Sequence, residues 1–252
     1  MDLRKKIKSN KTTIGSWITI GHHSIVELMA FGNFDWLAID MEHSSISSEK
    51  CQELILAIQS KDISPLVRVA SNSTVEIKKA MDSGADGVIV PMILSEKDAI
   101  NAVESVKYPP IGKRGVGLAR AQNYGFGFDN YDKWLKNSSV VVAQIEHIEA
   151  VQNIQKIIMV DGIDAIIIGP YDLSASMGHP GQLNHKSVLD AIKLVEEVCK
   201  KSSFPLGFHI IEPNHKDLKE KINNGYKFIG FSLDFLFLGN KIKQEMSSFI
   251  NE

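Results

Sequence analysis

The stretch VVVAQIEHIEA, residues 140–150, joins an apolar run to an abrupt change in polarity. Its three valines indicate a strand that is buried on both faces, as in a parallel sheet. Gln144 and Glu146 follow where the run ends. A second stretch, AIIIGPYDLSAS at 165–176, repeats the pattern and reaches Asp172 just after a Gly-Pro pair. Two carboxylates therefore follow two consecutive buried strands.

Six other short runs share this composition, and segments with helical spacing separate them. The runs are IGSWITI (14–20), WLAID (36–40), PLVRVA (65–70), GVIVPMI (87–93), PLGFHI (205–210) and KFIGFSL (227–233). Amphipathic segments cover 47–60, 73–84, 95–106 and 185–201. Strands alternating with helices in this number predict an α/β fold, a single-domain (β/α)8 TIM barrel over 1–252. The sequence lacks the glycine-rich dinucleotide-binding or phosphate-binding loop that would favour an open sheet instead.

The composition excludes several classes of protein. The chain has 252 residues and a formal net charge of -2, so its charge gives no reason to expect nucleic acid or a membrane as partner. Cys51 and Cys199 lack the spacing of a zinc site or a disulfide framework. The N-terminal residues are too polar for a secretory signal, and no run approaches the roughly 18 apolar residues of a membrane helix. We therefore expect a cytoplasmic protein.

Polar side chains follow several strands at the end where barrel enzymes build their active sites. Buried strand ends would otherwise be apolar. These residues are Asp40, Glu42, His43, Arg68, Gln144, Glu146, Asp172, His209, Ser232 and Asp234. We predict that they form one polar site at the mouth of the barrel.

Glu146 and Asp172 are the candidate metal ligands. Two carboxylates on neighbouring strands suit a hard divalent cation such as Mg²⁺ or Mn²⁺, which keeps waters and takes further oxygens from substrate. The alternative is that Glu146 pairs with an arginine while Asp172 caps the short segment LSAS. Their matching depth on adjacent strands favours the metal.

Arg68 and His43 are the candidate catalytic side chains. A guanidinium inside an apolar strand needs a negative partner, which can be a substrate oxyanion or Glu146. His43 can act as a general base if a carboxylate orients it, although a lone histidine is more often structural. The loop GKRGVG (112–117) either binds an anion or is an ordinary solvated loop. It belongs to the long irregular segment 108–131, which we expect to be functional.

Several motifs resemble those of the HpcH/HpaI family of metal-dependent aldolases, the class II pyruvate aldolases. FDWLAIDMEHS, VRV, VPM, YPPIGKRGVG, QIE and IGPYDLSASMG occur in the family's order, over nearly the whole chain. The resemblance implies cleavage of a 4-hydroxy-2-oxo acid to pyruvate and an aldehyde, reversibly, with Mg²⁺, Mn²⁺ or Co²⁺ as cofactor. It also implies a homo-oligomer, often a hexamer, with the C-terminal helix 241–250 on a neighbouring copy. That helix is amphipathic, and packing on its own barrel is the alternative.

The resemblance also implies a role for each catalytic residue. Glu146 and Asp172 bind the cation, which chelates the carboxylate and keto oxygens of pyruvate. His43, assisted by Asp82 of AMDSGAD, handles the proton, while Arg68 stabilises the enolate oxygen. Without the resemblance, Asp82 would be read as a surface acid on a helix.

Substrate contacts are implied at the same end of the barrel. The backbone around Gly169, Pro170 and Tyr171 holds the pyruvate carboxylate, and we expect Gln144 to face the substrate. His209 occupies a position that is aliphatic in some members and meets the aldehyde portion. We therefore expect a more polar acceptor, such as a sugar-derived aldehyde.

Two competing functions stay open. A lyase of the same superfamily acting on a malyl- or citramalyl-type CoA thioester would need a basic groove, which only GKR (112–114) suggests. A catalytically idle barrel that binds a metal and an oxo acid would have no need of His43. The presence of His43 together with Arg68 and the two carboxylates favours the aldolase.

Overall fold

Eight parallel strands close into a barrel in sequence order, so the TIM-barrel prediction is confirmed. The structure, a computed structural model, describes residues 2–250, apart from the side chains of Ser248 and Ile250. The strands are β1 Thr13–Ile18, β2 Trp36–Asp40, β3 Ser64–Arg68, β4 Gly87–Val90, β5 Val140–Ile145, β6 Ala165–Ile168, β7 Leu206–Ile210 and β8 Phe228–Leu233.

Helices surround the barrel and connect its strands. They are α1 Leu3–Lys8, α2 His23–Met29, α3 Ser48–Gln59, α4 Thr74–Asp82, α5 Glu96–Val106, α6 Phe128–Asn137, α7 Ile148–Gln152, α8 Ile154–Ile158, α9 Pro170–Ser176, α10 Lys186–Ser202, α11 His215–Asn223 and α12 Asp234–Ile250. Short 3-10 segments cover Ala30–Gly32 and Arg120–Gly125. No helix within residues 2–250 is both long enough and apolar enough to cross a bilayer.

The two-residue period of the strands decides which side chains reach the interior of the barrel. In β5, Val140 and Val142 belong to the interior cluster, whereas Val141 packs in the layer between strands and helices. Continuing this alternation places Gln144 and Glu146 on the interior side, at the carboxyl end of the barrel. Gln144 and Glu146 therefore point to the same side of the strand as Val140 and Val142, into the barrel.

The opposite end of the barrel is filled and covered. The rings of Trp36 and Phe228 stack inside it with their centroids 4.5 Å apart. Ile7 of α1 is fully buried in the same interior cluster. Arg4 ties α1 to this end through a 2.7 Å contact with Asp164, which immediately precedes β6. The strand and helix pattern of the sequence did not predict α1.

Other differences from the sequence-based expectations concern segment ends. Part of 108–131 is regular, because α6 begins at Phe128. Asp234 is the first residue of α12 rather than the end of a strand, and its carboxylate accepts hydrogen bonds from the backbone of Thr19 and Ile20. Cys51 and Cys199 are free and buried, and burial raises the pKa of each thiol to about 12.

Candidate active site

Arg68 and Asp40 form a buried ion pair across β3 and β2. The strand register sets them side by side, and Arg68 donates from Nε and Nη2 to the two carboxylate oxygens over 2.9 and 2.7 Å. Burial alone would raise the pKa of Asp40, but the hydrogen bonds and charge of Arg68 hold that pKa below its usual value. The Arg68 guanidinium also lies 4.5 Å from the ring centroid of Trp17. The main carboxylate partner of Arg68 is therefore Asp40 and not Glu146.

Glu146 follows β5 directly and is 3% exposed. Its Oε1 accepts a 2.8 Å hydrogen bond from the backbone N–H of Met92, and its Oε2 accepts one from the side-chain amide of Gln144. Burial raises the pKa of Glu146, these two hydrogen bonds oppose that rise, and the charge of Asp172 adds to it. Gln144 thus orients Glu146.

Asp172 lies in the first turn of α9, which begins at Pro170 after Gly169. The alternative in which Asp172 caps LSAS is wrong, because the helix starts earlier and Gly169 occupies the cap position. A Cβ on Gly169 would lie 3.1 Å from Oε2 of Glu146. A glycine at this position therefore lets the start of α9 approach the Glu146 carboxylate closely.

Glu42 is a fourth carboxylate of the site, to which sequence reasoning gave no role. Its Oε2 is buried without a hydrogen-bond partner among the described residues, 3.4 Å from Nε of Arg68 and 3.9 Å from Nε2 of His43. Burial raises the pKa of Glu42 to about 7, against the charge of Arg68, and the charges of Glu146, Asp40 and Asp172 contribute to the rise. Its position in DMEH, directly after a buried strand, was the available signal.

The donor set fits a divalent cation. Within residues 2–250, no three His, Cys, Asp or Glu side chains are grouped so as to enclose a metal ion. Glu146 and Asp172 are instead a pair whose ligation would be completed by water and substrate oxygens, as hard cations commonly allow. Burial is the main cause that raises the pKa of Glu146 and of Glu42, neighbouring carboxylate charges add to the rise, and a bound cation would oppose it.

One cavity of about 310 Å³ gathers most of the predicted site residues. Its walls include Asp40, His43, Arg68, Gln144, Gly169, Pro170, Tyr171, Asp172 and His209. The volume lies near the lower end of the roughly 300–1,000 Å³ that small-molecule sites occupy. The side chain of His43 is 62% exposed, so it lies towards solvent. The cavity therefore has room for a small molecule, and His43 lies on its solvent side.

His209 contributes a neutral imidazole to this cavity. It is 8% exposed, and its ring centroid lies 5.0 Å from that of Trp17. Burial, with the charge of Arg68 next in size, lowers the pKa of His209 to about 3. Its Nε2 has no hydrogen-bond partner within the described part of the chain. The ring is therefore an uncharged polar group at every physiological pH.

Asp82 is not brought to His43 within one chain. It is the last residue of α4, and its Oδ1 lies 3.5 Å from Nη2 of the fully buried Arg114. Burial raises the pKa of Asp82, while the charge of Arg114 opposes the rise. Arg114 also donates to the hydroxyls of Tyr108 and Tyr131. The arginine of the GKR loop is thus committed to internal contacts.

Two further histidines that follow strands have structural roles. His147 and His22 are the N-cap residues of α7 and α2, and their Nδ1 atoms accept backbone hydrogen bonds from Glu149 and Ser24. Ser232 is buried with a positive φ of 54° in β8. None of these three residues lines the cavity that contains Arg68 and Asp172.

Paired carboxylates beside an oriented guanidinium are suited to chemistry in which an oxyanion develops, which many lyases require. The chain belongs to the HpcH/HpaI aldolase/citrate lyase family, whose model matches residues 13–238. Relatives that match this chain over most of its length are named aldolases, and the chain is accordingly an aldolase-type lyase.

Individual relatives match over nearly their whole lengths. A hydroxypyruvate/pyruvate aldolase of Roseobacter denitrificans is 32% identical over 242 residues, covering 94% of this chain and 92% of the relative. A 4-hydroxy-2-oxo-heptane-1,7-dioate aldolase of Klebsiella pneumoniae is 34% identical over 235 residues, covering 92% and 87%. The crystal structure of a family member from Burkholderia cenocepacia superimposes with a TM-score of 0.92 at 29% identity, covering 98% of both chains.

Proposed function

We propose that this aldolase cleaves a 4-hydroxy-2-oxo acid to pyruvate and an aldehyde, and that it also catalyses the reverse addition. The observation that carries the proposal is a buried Glu146 that lies against Gly169, a wall of the cavity that Asp172 and Arg68 also line, with Arg68 held by Asp40. The names of the Roseobacter and Klebsiella relatives support pyruvate and 4-hydroxy-2-oxo acids as the substrate class.

Glu146 and Asp172 would hold a divalent cation, Mg²⁺, Mn²⁺ or Co²⁺, which would act as a Lewis acid towards the oxygen of the pyruvate enolate. Arg68 donates to the same developing negative charge from a fixed position, because Asp40 holds its guanidinium through two hydrogen bonds. Gln144 keeps the Glu146 carboxylate oriented, which makes it a positioning residue. The backbone around Gly169, Pro170 and Tyr171 borders the cavity and receives the substrate carboxylate.

His43 accepts the proton of the 4-hydroxyl group as the bond between C3 and C4 breaks and the aldehyde leaves. Among the described residues, Glu42 brings a carboxylate to this histidine, with its Oε2 3.9 Å from Nε2 of His43. Asp82 lies with Arg114 instead, so assistance from Asp82 requires a second copy of the chain.

The surface of α12 supports assembly into a homo-oligomer, and we take the hexamer as the working assembly. Ile242, Met246 and Phe249 are exposed, so the alternative of packing on their own barrel is not favoured; Ile250 lies outside the described side chains. An apolar groove next to this helix is lined by Ile25, Leu28, Met29, Phe34, Phe237 and Leu238. The cytoplasmic location expected from the sequence stays a proposal.

The thioester-lyase alternative loses its main support. Lys113 is paired with Glu104 at 2.7 Å, and Arg114 is buried among tyrosines. Arg114 is therefore not available to the phosphates of CoA, and Lys113, which is exposed, is the one cation that the GKR segment presents to solvent. No contact in the described residues favours the idle-barrel alternative.

The decisive experiment follows pyruvate release from 4-hydroxy-2-oxo acids by the purified, chelator-stripped enzyme, with and without added Mg²⁺, Mn²⁺ or Co²⁺. Release that needs the cation and disappears in Glu146→Gln and Asp172→Asn supports the proposal. Tight metal binding without pyruvate release from any of these acids would refute it.

A further inference from the structure

A second cavity, also of about 310 Å³, lies beside the active-site cavity. The two cavities share Pro170, Tyr171, His209 and Ile211 as walls. We call the second cavity the side chamber; it is bounded further by Leu183, by Glu212 after β7 and by residues of α11. Because its inner wall is also a wall of the catalytic cavity, the side chamber offers space for the end of a substrate whose reacting atoms lie near Arg68.

The side chamber carries an excess of negative charge. Its lining includes three carboxylates, Glu212, Asp217 and Glu220, and one ammonium group, that of Lys221. The Nζ atom of Lys221 lies 3.9 Å from the ring centroid of Phe208, so this cation is engaged by an aromatic face. Of the described residues that line the chamber, Lys221 alone brings a positive charge, and it does not balance the three carboxylates.

The wall between the two cavities contains one buried polar side chain, that of His209. His209 is more than nine-tenths buried there, and its Nε2 is without a hydrogen-bond partner among residues 2–250. Unpaired polar atoms in buried side chains are rare in native proteins and call for an explanation. A substrate hydroxyl group next to the imidazole would supply hydrogen bonding that the chain itself does not provide.

We propose that the side chamber receives the tail of the acceptor aldehyde, and that its carboxylates select neutral, hydroxylated tails and reject anionic ones. This inference rests on the proposed aldolase function and names its substrate class. A repulsive element of this kind is a common source of specificity. A tail ending in a carboxylate would face like charges in the chamber, whereas a polyhydroxylated tail would meet hydrogen-bond acceptors.

The test uses two acceptors that differ in one group. D-Glyceraldehyde and tartronate semialdehyde have the same three carbons and the same 2-hydroxyl, but end in CH₂OH and in a carboxylate. With pyruvate as donor, we expect kcat/KM to favour glyceraldehyde by at least about tenfold at low salt, and this ratio to shrink in about 0.5 M NaCl. A ratio near one, or a preference for the anionic acceptor, would overturn the inference.

Neutralising the chamber provides the matched comparison. In the triple variant E212Q/D217N/E220Q, we expect the acceptor ratio to fall to within about threefold, because the repulsive charges are gone. All three side chains are exposed, which makes the substitutions compatible with folding. Asp190→Asn, an exposed change on α10 outside the chamber, should leave the ratio as in the wild type. An unchanged ratio in the triple variant would count against the assignment.

A separate measurement distinguishes failure of this inference from failure of the proposed function. Exchange of the pyruvate methyl protons with deuterated water requires enolate formation but no acceptor. Exchange by the wild-type enzyme with no discrimination between the two acceptors would refute the chamber and leave the aldolase intact. Absence of both exchange and cleavage would refute the aldolase, and the chamber assignment with it.

Discussion

Arg68 and Asp40 occupy the same register position on neighbouring strands, and two hydrogen bonds of 2.9 and 2.7 Å join them. The planar guanidinium is thereby fixed in orientation as well as in position. Its remaining donors can then serve a substrate oxyanion without a search through rotamers. In the proposed reaction, the ion pair would hold the arginine ready for the charge that develops on the enolate oxygen.

Replacing Arg68 with lysine should lower kcat for pyruvate release by about 100-fold or more, because an ammonium group lacks the two-pronged contact that fixes the donor. The measurement is steady-state pyruvate release at saturating cation. A melting temperature near that of the wild type would show that the variant is folded. Full activity in a folded Arg68→Lys variant would contradict the role assigned to the guanidinium.

Removing one carboxylate ligand should weaken cation binding before any chemistry occurs. Replacing a residue that hydrogen-bonds to a metal ligand typically reduces the affinity for the metal by about 10–100-fold. Glu146→Gln and Asp172→Asn change the proposed ligands themselves, so each should reduce the affinity for the cation by at least that factor. Isothermal titration with Mn²⁺ in the absence of substrate measures this directly. Glu149→Gln, an exposed change three residues from Glu146, should bind as the wild type does. Equal affinities in all of these proteins would exclude the assigned ligand pair.

Adding one methyl group at Gly169 should disturb the same site sterically. The new Cβ would lie 3.1 Å from Oε2 and 3.2 Å from Cβ of Glu146, so the carboxylate has to shift. We expect Gly169→Ala to reduce Mn²⁺ affinity about tenfold, an effect comparable with disturbing a ligand's supporting contacts. Gly239→Ala in α12, where a Cβ would meet no atom within 4 Å, is the matched control. Wild-type affinity for Mn²⁺ in Gly169→Ala would show that the close approach of Gly169 to Glu146 does not affect metal binding.

Lys107 should impose a pH dependence on stability. Its buried Nζ donates to the backbone oxygen of Leu135 and to Oγ of Ser139, each over 2.7 Å. Burial, with the charge of Arg4 next, lowers the pKa of Lys107 to about 8 in the folded protein, against 10.5 when unperturbed. Between these values the unfolded chain binds more protons than the folded one, so the free energy of unfolding rises with pH.

This rise should amount to at most about 3 kcal/mol and be absent in Lys107→Met. Urea unfolding of both proteins at pH 8 and pH 10 gives the comparison. The difference in slope is the readout, because the variant also loses two hydrogen bonds at every pH. Parallel pH profiles would show that Lys107 keeps an ordinary pKa in the folded protein.

An acidic substitution on the exposed face of α12 should dissociate the assembly. Met246 is 51% exposed, and Met246→Asp would place a charge in the proposed contact between copies. Light scattering after size-exclusion chromatography should report a smaller mass than that of the wild type. Leu189→Asp, at a similarly exposed apolar position on α10, should keep the wild-type mass. A wild-type mass for both variants would place the contact elsewhere.

Much of the fold could be predicted because each strand is a short apolar run. Polar residues, glycine or proline mark the points where these runs end. The alternation of VVVAQIE also places Glu146 on the interior side of the barrel without knowledge of any distant residue. The helix α1 could not be predicted in this way. Its segment LRKKIK is highly charged, and tertiary contacts of Ile7 and Arg4 stabilise it rather than helix propensity.

The parts of the site that escaped prediction depend on contacts between remote segments. The raised pKa of Glu42 results from burial together with Glu146 and Asp172, more than 100 positions away. Likewise, the pairing of Asp82 with Arg114 joins α4 to a loop beyond α5. The local sequence pattern identifies a polar residue at the end of a strand. The electrostatic environment of that residue depends on charged residues remote in sequence, which become its neighbours only when the barrel closes.

The filled end of the barrel confines access to the catalytic cavity to the carboxyl end. Trp36, Phe228 and α1 block any passage through the middle of the barrel, so both reactants and both products use the carboxyl-end mouth. Because both reactants enter from this end, the molecule that binds deeper has to bind first and leave last. With the oxo acid against Arg68 and the aldehyde nearer the side chamber, synthesis should follow an ordered sequence in which pyruvate binds before its partner.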